Sequence, residues 1–213
     1  MNIDDKAKTV ICYGDSNTWG AIPGTDDERH PRSIRWPYTL QALLGSNYEV
    51  ISEGLPGRTL VAHDPEKAHR TGITHLDSIL RSADPVSLVV IMLGTNDVKK
   101  LYNLSAEDIA QHLSQTIELI NAFDKDIEVL VVCPPSPNFG SSDSVEPRMV
   151  RGPEIFKTLP GLYRQVAQKY RVGFLDAGEH IASSKIDGYH LDADMHVKLA
   201  KSIKDHIISQ LPQ

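Results

Sequence analysis

Basic residues, cysteines and long apolar runs are all in short supply. Lys and Arg total 22 against 28 Asp and Glu, a formal charge of −6, so no basic stripe is available to hold nucleic acid. No apolar stretch approaches the roughly 20 residues that a membrane span needs, so no membrane is expected as a partner. Residues 1–8 hold no apolar core of the kind a secretory signal requires. The two cysteines, Cys12 and Cys133, each lie in or at the end of an apolar run. Free buried thiols and a reducing cytoplasm are therefore expected, not a disulfide. A phosphate-cradling loop is missing as well: the turn Gly14–Gly20 fits neither G-x-x-x-x-G-K-S/T nor G-x-G-x-x-G, which argues against a flavodoxin-like nucleotide or flavin binder.

What is present is ordinary globular composition. With 213 residues, 40% of them hydrophobic, the chain can bury one core, and residues 1–213 are read as a single domain. Strand-like and helix-like segments alternate along it. The runs 9–13, 48–52, 88–93, 127–132 and 172–175 read as strands, and 88–93 has the unbroken apolar character of a central parallel strand. Helical patterning falls on 36–44, closed by Gly45, then on 73–83, 105–123, 163–170 and 192–211. Five strands alternating with helices predict an α/β fold, a three-layer α/β/α sandwich on one parallel sheet. Right-handed crossovers suggest the flavodoxin-like strand order 2-1-3-4-5. The Ser-, Pro- and Gly-rich stretch 134–152 is longer than most loops, and such loops cover a site, form an interface or lack order.

Ligands of open α/β sheets sit outside the carboxyl ends of the strands, where this chain concentrates its reactive residues. Gly14-Asp15-Ser16-Asn17-Thr18-Trp19-Gly20 leaves the first strand with a serine at its exit. Ser16 can serve as a nucleophile or simply belong to a capped turn. A serine hydroxyl needs a base, and Asp187-Gly188-Tyr189-His190 offers one. In that spacing the carboxylate can curl back onto Nδ1 while Nε2 faces the serine. Gly54 opens the loop after the second strand, and Asn96 leaves the third. Each could be an ordinary turn residue. Together with the Ser16 N–H they could also form a three-donor oxyanion hole.

Gly14-Asp15-Ser16, Gly54, Gly94-Thr95-Asn96-Asp97 and Asp187-x-x-His190 resemble, in that order, the four signature blocks of the SGNH (GDSL) hydrolases. Arg35-Trp36 and Glu53-Gly54-Leu55-Pro56-Gly57-Arg58-Thr59 also resemble the bacterial arylesterase/acyltransferase branch. The resemblance covers nearly the whole chain. It implies hydrolysis of small acyl esters, with transfer to alcohols as a second outcome. It also implies a small-molecule substrate, no metal or other cofactor, and a homo-oligomer. On this resemblance Ser16, His190 and Asp187 form the triad, and Ser16, Gly54 and Asn96 are the oxyanion donors. Asn17, Trp19 and Arg58 are the pocket candidates. A carbohydrate O-acetylesterase acting through the same triad is the alternative.

His190, Asp192, Asp194 and His196 alternate like metal ligands, but Asp192 opens an amphipathic helix that would scatter them, so a cap and solvated helix residues are expected. His63, His69 and His75 read as surface or loop histidines.

Overall fold

A parallel strand buried on both faces must be apolar on both, and the central runs of this chain meet that condition. A computed structural model describes residues 6–138, 149 and 151–210. Its elements are β1 (Lys8–Gly14), α1 (Ser16–Trp19), α2 (Trp36–Leu44), β2 (Tyr48–Gly54), α3 (Gly72–Ala83) and β3 (Leu88–Met92). They continue as α4 (Ala106–Phe123), β4 (Glu128–Cys133), α5 (Gly152–Ile155), α6 (Leu159–Tyr170), β5 (Gly173–Asp176) and α7 (Ala193–Gln210). The five strands pair in parallel in the order β2-β1-β3-β4-β5, as the topology rules predict.

Successive strand residues point to opposite faces, and the two faces build separate cores. Ile11, Tyr13, Val89, Ile91 and Val131 meet α3, α4 and α6 through Leu76, Ile109, Leu113, Ile117 and Tyr163. Val10, Cys12, Val90, Met92 and Val132 meet α2 and α7 through Trp36, Leu40, Leu199 and Ile203. Ile117 is fully buried, and truncating it to Ala would cost roughly 2–5 kcal/mol. Cys12 and Cys133 are free and buried.

Local signals explain the helix ends. Ser105 Oγ accepts the Asp108 N–H (3.1 Å) while Asp108 Oδ2 accepts the Ser105 N–H (2.8 Å), a reciprocal cap that stabilises the start of α4 by about 1 kcal/mol. Helix α6 begins at Leu159 instead of the expected 163, because Pro160 in its first turn presets the helical φ. Short elements escape the periodicity, among them α1, α5 and a 3-10 segment at Pro65–Arg70. Of the long loop 134–152, residues 139–148 and 150 lie outside the described residues.

The register sets up the site. Gly14 pairs with Gly54 on one side and Met92 on the other, so β1, β2 and β3 end level and release their loops at one edge. A Cβ on Gly14 would lie 2.0 Å from Thr18 Oγ1, and one on Gly54 would lie 2.2 Å from the Trp19 nitrogen. Only glycine lets α1 fold back this closely onto the strand ends.

Candidate active site

Asp15 turns the chain. Its Oδ1 accepts the Asn17 N–H (2.9 Å), starting α1 directly after β1, and Gly20 ends that helix at φ 94. Asn17 and Thr18 are buried by this arrangement, whereas Ser16 and Trp19 remain partly exposed. Asp15 itself is 1% exposed, and burial pushes its carboxyl up to about 6.

The partner of Ser16 arrives from the other end of the chain. Gly188, at φ 87, lets 187–190 turn tightly enough for Asp187 to face its own loop. Asp187 Oδ1 accepts the backbone N–H groups of Tyr189 (3.1 Å) and His190 (3.0 Å). Asp187 Oδ2 accepts from His190 Nδ1 at 2.8 Å and from the Gly24 N–H at 2.9 Å. Burial alone would raise this carboxyl, but the hydrogen bonds from His190 outweigh it and hold the group at about 2. With Nδ1 donating to the carboxylate, Nε2 is free to accept, and it lies 3.0 Å from Ser16 Oγ. The Ser184 N–H fixes the His190 carbonyl (2.8 Å), and the Tyr189 ring packs 4.4 Å from the imidazole. The structure thus brings Ser16, His190 and Asp187 together as the spacing predicted.

The donors differ from expectation at one position. Gly54 is packed against the backbone of α1 and does not line the cleft. Gly57 does, together with Ser16 and Asn96. The Arg58 N–H returns to the Leu55 carbonyl (3.0 Å), with Pro56 and Gly57 in the middle and Gly57 at φ 82, the geometry of a type II turn. Among the described residues, neither the Gly57 nor the Ser16 N–H has a hydrogen-bond acceptor. The glycine that supplies a free N–H is therefore Gly57, and the close approach to α1 explains Gly54. Asn96 enters the cleft as expected, on a turn whose Gly94 sits at φ 123. Next to it, Asp97 is fully buried and accepts the Leu60 N–H (3.1 Å), lacing the loops after β2 and β3 together.

The cleft has a volume of about 410 Å³, and its wall mixes polar and apolar surface in nearly equal parts. Trp19 lines it as predicted, with the Arg29 guanidinium 4.7 Å over its ring, and buried Met149 lines it as well. Asn17 and Arg58 do not. Asn17 is buried and donates from Nδ2 to the Tyr189 carbonyl (3.0 Å), tying α1 to the histidine loop. Arg58 is 4% exposed, stacks 4.2 Å from the Tyr13 ring and donates to the carbonyls of Gly14 (3.0 Å) and Glu53. It clamps the ends of β1 and β2. Trp36 belongs to the core.

His196, expected among the solvated residues of the last helix, instead turns into the core and pairs with His30. His196 is fully buried, both ring nitrogens lack partners, and its ring meets that of His30 edge-on at 5.2 Å. Burial drives His196 down to about 3, with the nearby His30 adding to the effect. His30 Nε2 lies 3.4 Å from the Leu191 carbonyl, one residue beyond His190. Among the described residues, no group of three His, Cys, Asp or Glu is placed to hold a metal ion.

A serine, an imidazole and a carboxylate in sequence at the carboxyl edge of a parallel α/β/α sheet form the arrangement of a serine hydrolase. The family model for GDSL-like lipases and acylhydrolases matches residues 12–198; the chain belongs to that family and is a carboxylic ester hydrolase. No curated protein matches it. Among solved structures it is similar to Est24, a carbohydrate acetylesterase from Sinorhizobium meliloti, at 35% identity and a TM-score of 0.91, over 95% of this chain and 99% of that one. It is also similar to the M. smegmatis aryl esterase in its inhibitor-bound form, at 32% identity and a TM-score of 0.91, over 96% of this chain and 100% of that one. A carbohydrate acetylesterase family member from Sinorhizobium meliloti gives 34% identity and a TM-score of 0.90.

Proposed function

We propose that the protein cleaves short-chain acyl esters through an acyl-enzyme on Ser16. The observation that carries this reading is the 3.0 Å contact between His190 Nε2 and Ser16 Oγ, backed by the 2.8 Å contact from Nδ1 to Asp187. His190 takes the Ser16 proton as Oγ attacks the ester carbonyl. The oxyanion is held by the N–H groups of Ser16 and Gly57 and by the Asn96 amide. Collapse breaks the bond to the alcohol, which leaves with the proton from His190. Water then repeats the cycle in reverse, and an alcohol in its place gives acyl transfer. Asp187 keeps the imidazole in the required tautomer and stabilises its charged form.

The charged lining, with Asp26, Asp27, Lys67, Arg70 and Lys99, favours a polar alcohol half, and two of the similar structures are named as carbohydrate acetylesterases. An acetylated sugar is therefore the second reading, on the same triad. We further read residues 1–213 as a single domain that works in the cytoplasm, which suits two free buried thiols. A homo-oligomer is part of the proposal, resting on the resemblance alone. Among the described residues, no helix is long and apolar enough to cross a membrane.

The test is hydrolysis of p-nitrophenyl acetate, butyrate and octanoate by wild type and Ser16→Ala. Activity that needs Ser16 and falls steeply with acyl length is expected. Undiminished activity in Ser16→Ala would refute the nucleophile, and equal rates on all three esters would refute the short acyl pocket.

A further inference from the structure

The 3-10 segment Pro65–Arg70 lays a guanidinium against the turn that presents Gly57. A Cβ on Gly57 would meet Arg70 Cδ, Nε and Cζ at 2.8 Å. Arg70 Nε is buried and donates to nothing. Among the described residues, no carboxylate comes within ion-pair distance of Arg70 or of Lys67, which lines the same cleft. Arg70 is itself only partly buried, but its enclosed Nε lacks an acceptor, and an unsatisfied buried donor costs free energy. The planar fork of an arginine fits an oxyanion such as a carboxylate through paired hydrogen bonds. Two acids, Asp26 and Asp27, also line the cleft, but they are exposed and belong to the segment leading into α2. Arg70 and Lys67 lead into α3, in the opposite helix layer, so the wall beside Gly57 is the cationic one.

We infer that Arg70, with Lys67 beside it, binds a carboxylate carried on the alcohol half of the ester. This rests on the reading of Ser16 and His190 as the ester-cleaving pair. A cleft of about 410 Å³ is far larger than an acetyl group, so the alcohol half occupies most of it. With the ester carbonyl at the Gly57 N–H, an acidic substituent on that half reaches the guanidinium packed on the same glycine. The substrate class is then an acylated hydroxy acid, a carboxylate-bearing sugar included.

The experiment compares two esters of matched shape, para-acetoxybenzoate and its neutral methyl ester, by the ratio of their kcat/KM values. Wild type is expected to favour the anion by about tenfold or more, mainly through KM. Arg70→Gln should collapse the ratio, and Lys67→Gln should reduce it. In wild type the ratio should also fall as salt rises from tens to hundreds of millimolar, a readout independent of how well either variant folds. A ratio that survives Arg70→Gln, or is indifferent to salt, overturns the subsite. Wild type that cleaves the neutral ester through Ser16 without favouring the anion overturns the subsite and leaves the esterase reading standing. Failure to cleave either ester removes both.

Discussion

Asn96 Nδ2 lies 3.3 Å from Asp15 Oδ2 and 3.0 Å from the Arg58 carbonyl oxygen, so both of its hydrogens are engaged in the free protein. On the proposed mechanism an incoming oxyanion draws one of them away, and the longer bond to Asp15 is the one to yield. The amide is held in place in advance, and its last reorientation accompanies the developing charge.

Asn96→Ala should therefore lower kcat by on the order of 100-fold or more, with a smaller change in KM. Steady-state kinetics on p-nitrophenyl acetate would show this. A drop confined to KM would mean that Asn96 only helps to bind the substrate.

Asp187→Asn is expected to cost roughly 1,000- to 10,000-fold in kcat. Asp187 Oδ2 accepts from both His190 Nδ1 and the Gly24 N–H, so an amide can satisfy both only by turning its oxygen inward, and its NH₂ then faces the donors at Oδ1. Single-turnover assays alongside circular dichroism would separate the loss of chemistry from any loss of the loop.

Gly54→Ala should fail through folding. Its methyl group would fall 2.2 Å from the Trp19 nitrogen and 2.6 Å from Trp19 Cα, and backbone cannot move aside as a flexible side chain can. A loss of several kcal/mol is expected, about 3 or more, read by urea denaturation. Gly57→Ala meets the flexible Arg70 side chain instead and strains a residue at φ 82, so it should retain more folded protein while losing activity.

His196 and Asp15 pull stability in opposite directions with pH. His196 titrates at about 3 in the fold against 6.5 ordinarily, so the unfolded chain takes up the proton first. Its contribution is intact above about pH 6.5 and falls by about 1.4 kcal/mol per unit as the pH drops toward 3. Asp15, raised from 3.8 to about 6, contributes fully below about pH 4 and loses that contribution as the pH rises through about 6. His196→Phe strands no hydrogen bond, since neither ring nitrogen has a partner. Its unfolding free energy should gain on wild type steadily below pH 6.5; parallel curves would contradict the buried neutral imidazole.

The legible parts of this protein were those that repeat or stand at a boundary. Alternating strand faces and helical stripes marked β1 to β5 and the long helices, because burial imposes a period on the sequence. Ser16, Asn96, Asp187 and His190 showed at strand exits or beside a capping turn. Gly57 did not, because Gly54, at the end of β2, is the more conspicuous glycine, although Pro56-Gly57 carries the residue pair of a type II turn. Asn17 and Arg58 carry the right chemistry for a pocket, yet a four-residue helix and a tight turn aim them inward. Such directions depend on a few dihedral angles and leave no trace in spacing. The 3-10 segment holding Arg70 has no period at all.

Ser16 and its proposed base stand 174 positions apart. During synthesis the serine emerges 174 positions ahead of that base, and until His190 follows no group stands where Nε2 does, 3.0 Å from Oγ. A hydroxyl in that condition is inert toward esters. On the proposed mechanism, hydrolytic power appears only once the loop 187–190 has docked beside β1. On that mechanism a chain cut between the two residues is inert toward acyl esters, and docking of the loop 187–190 is itself the control on the chemistry.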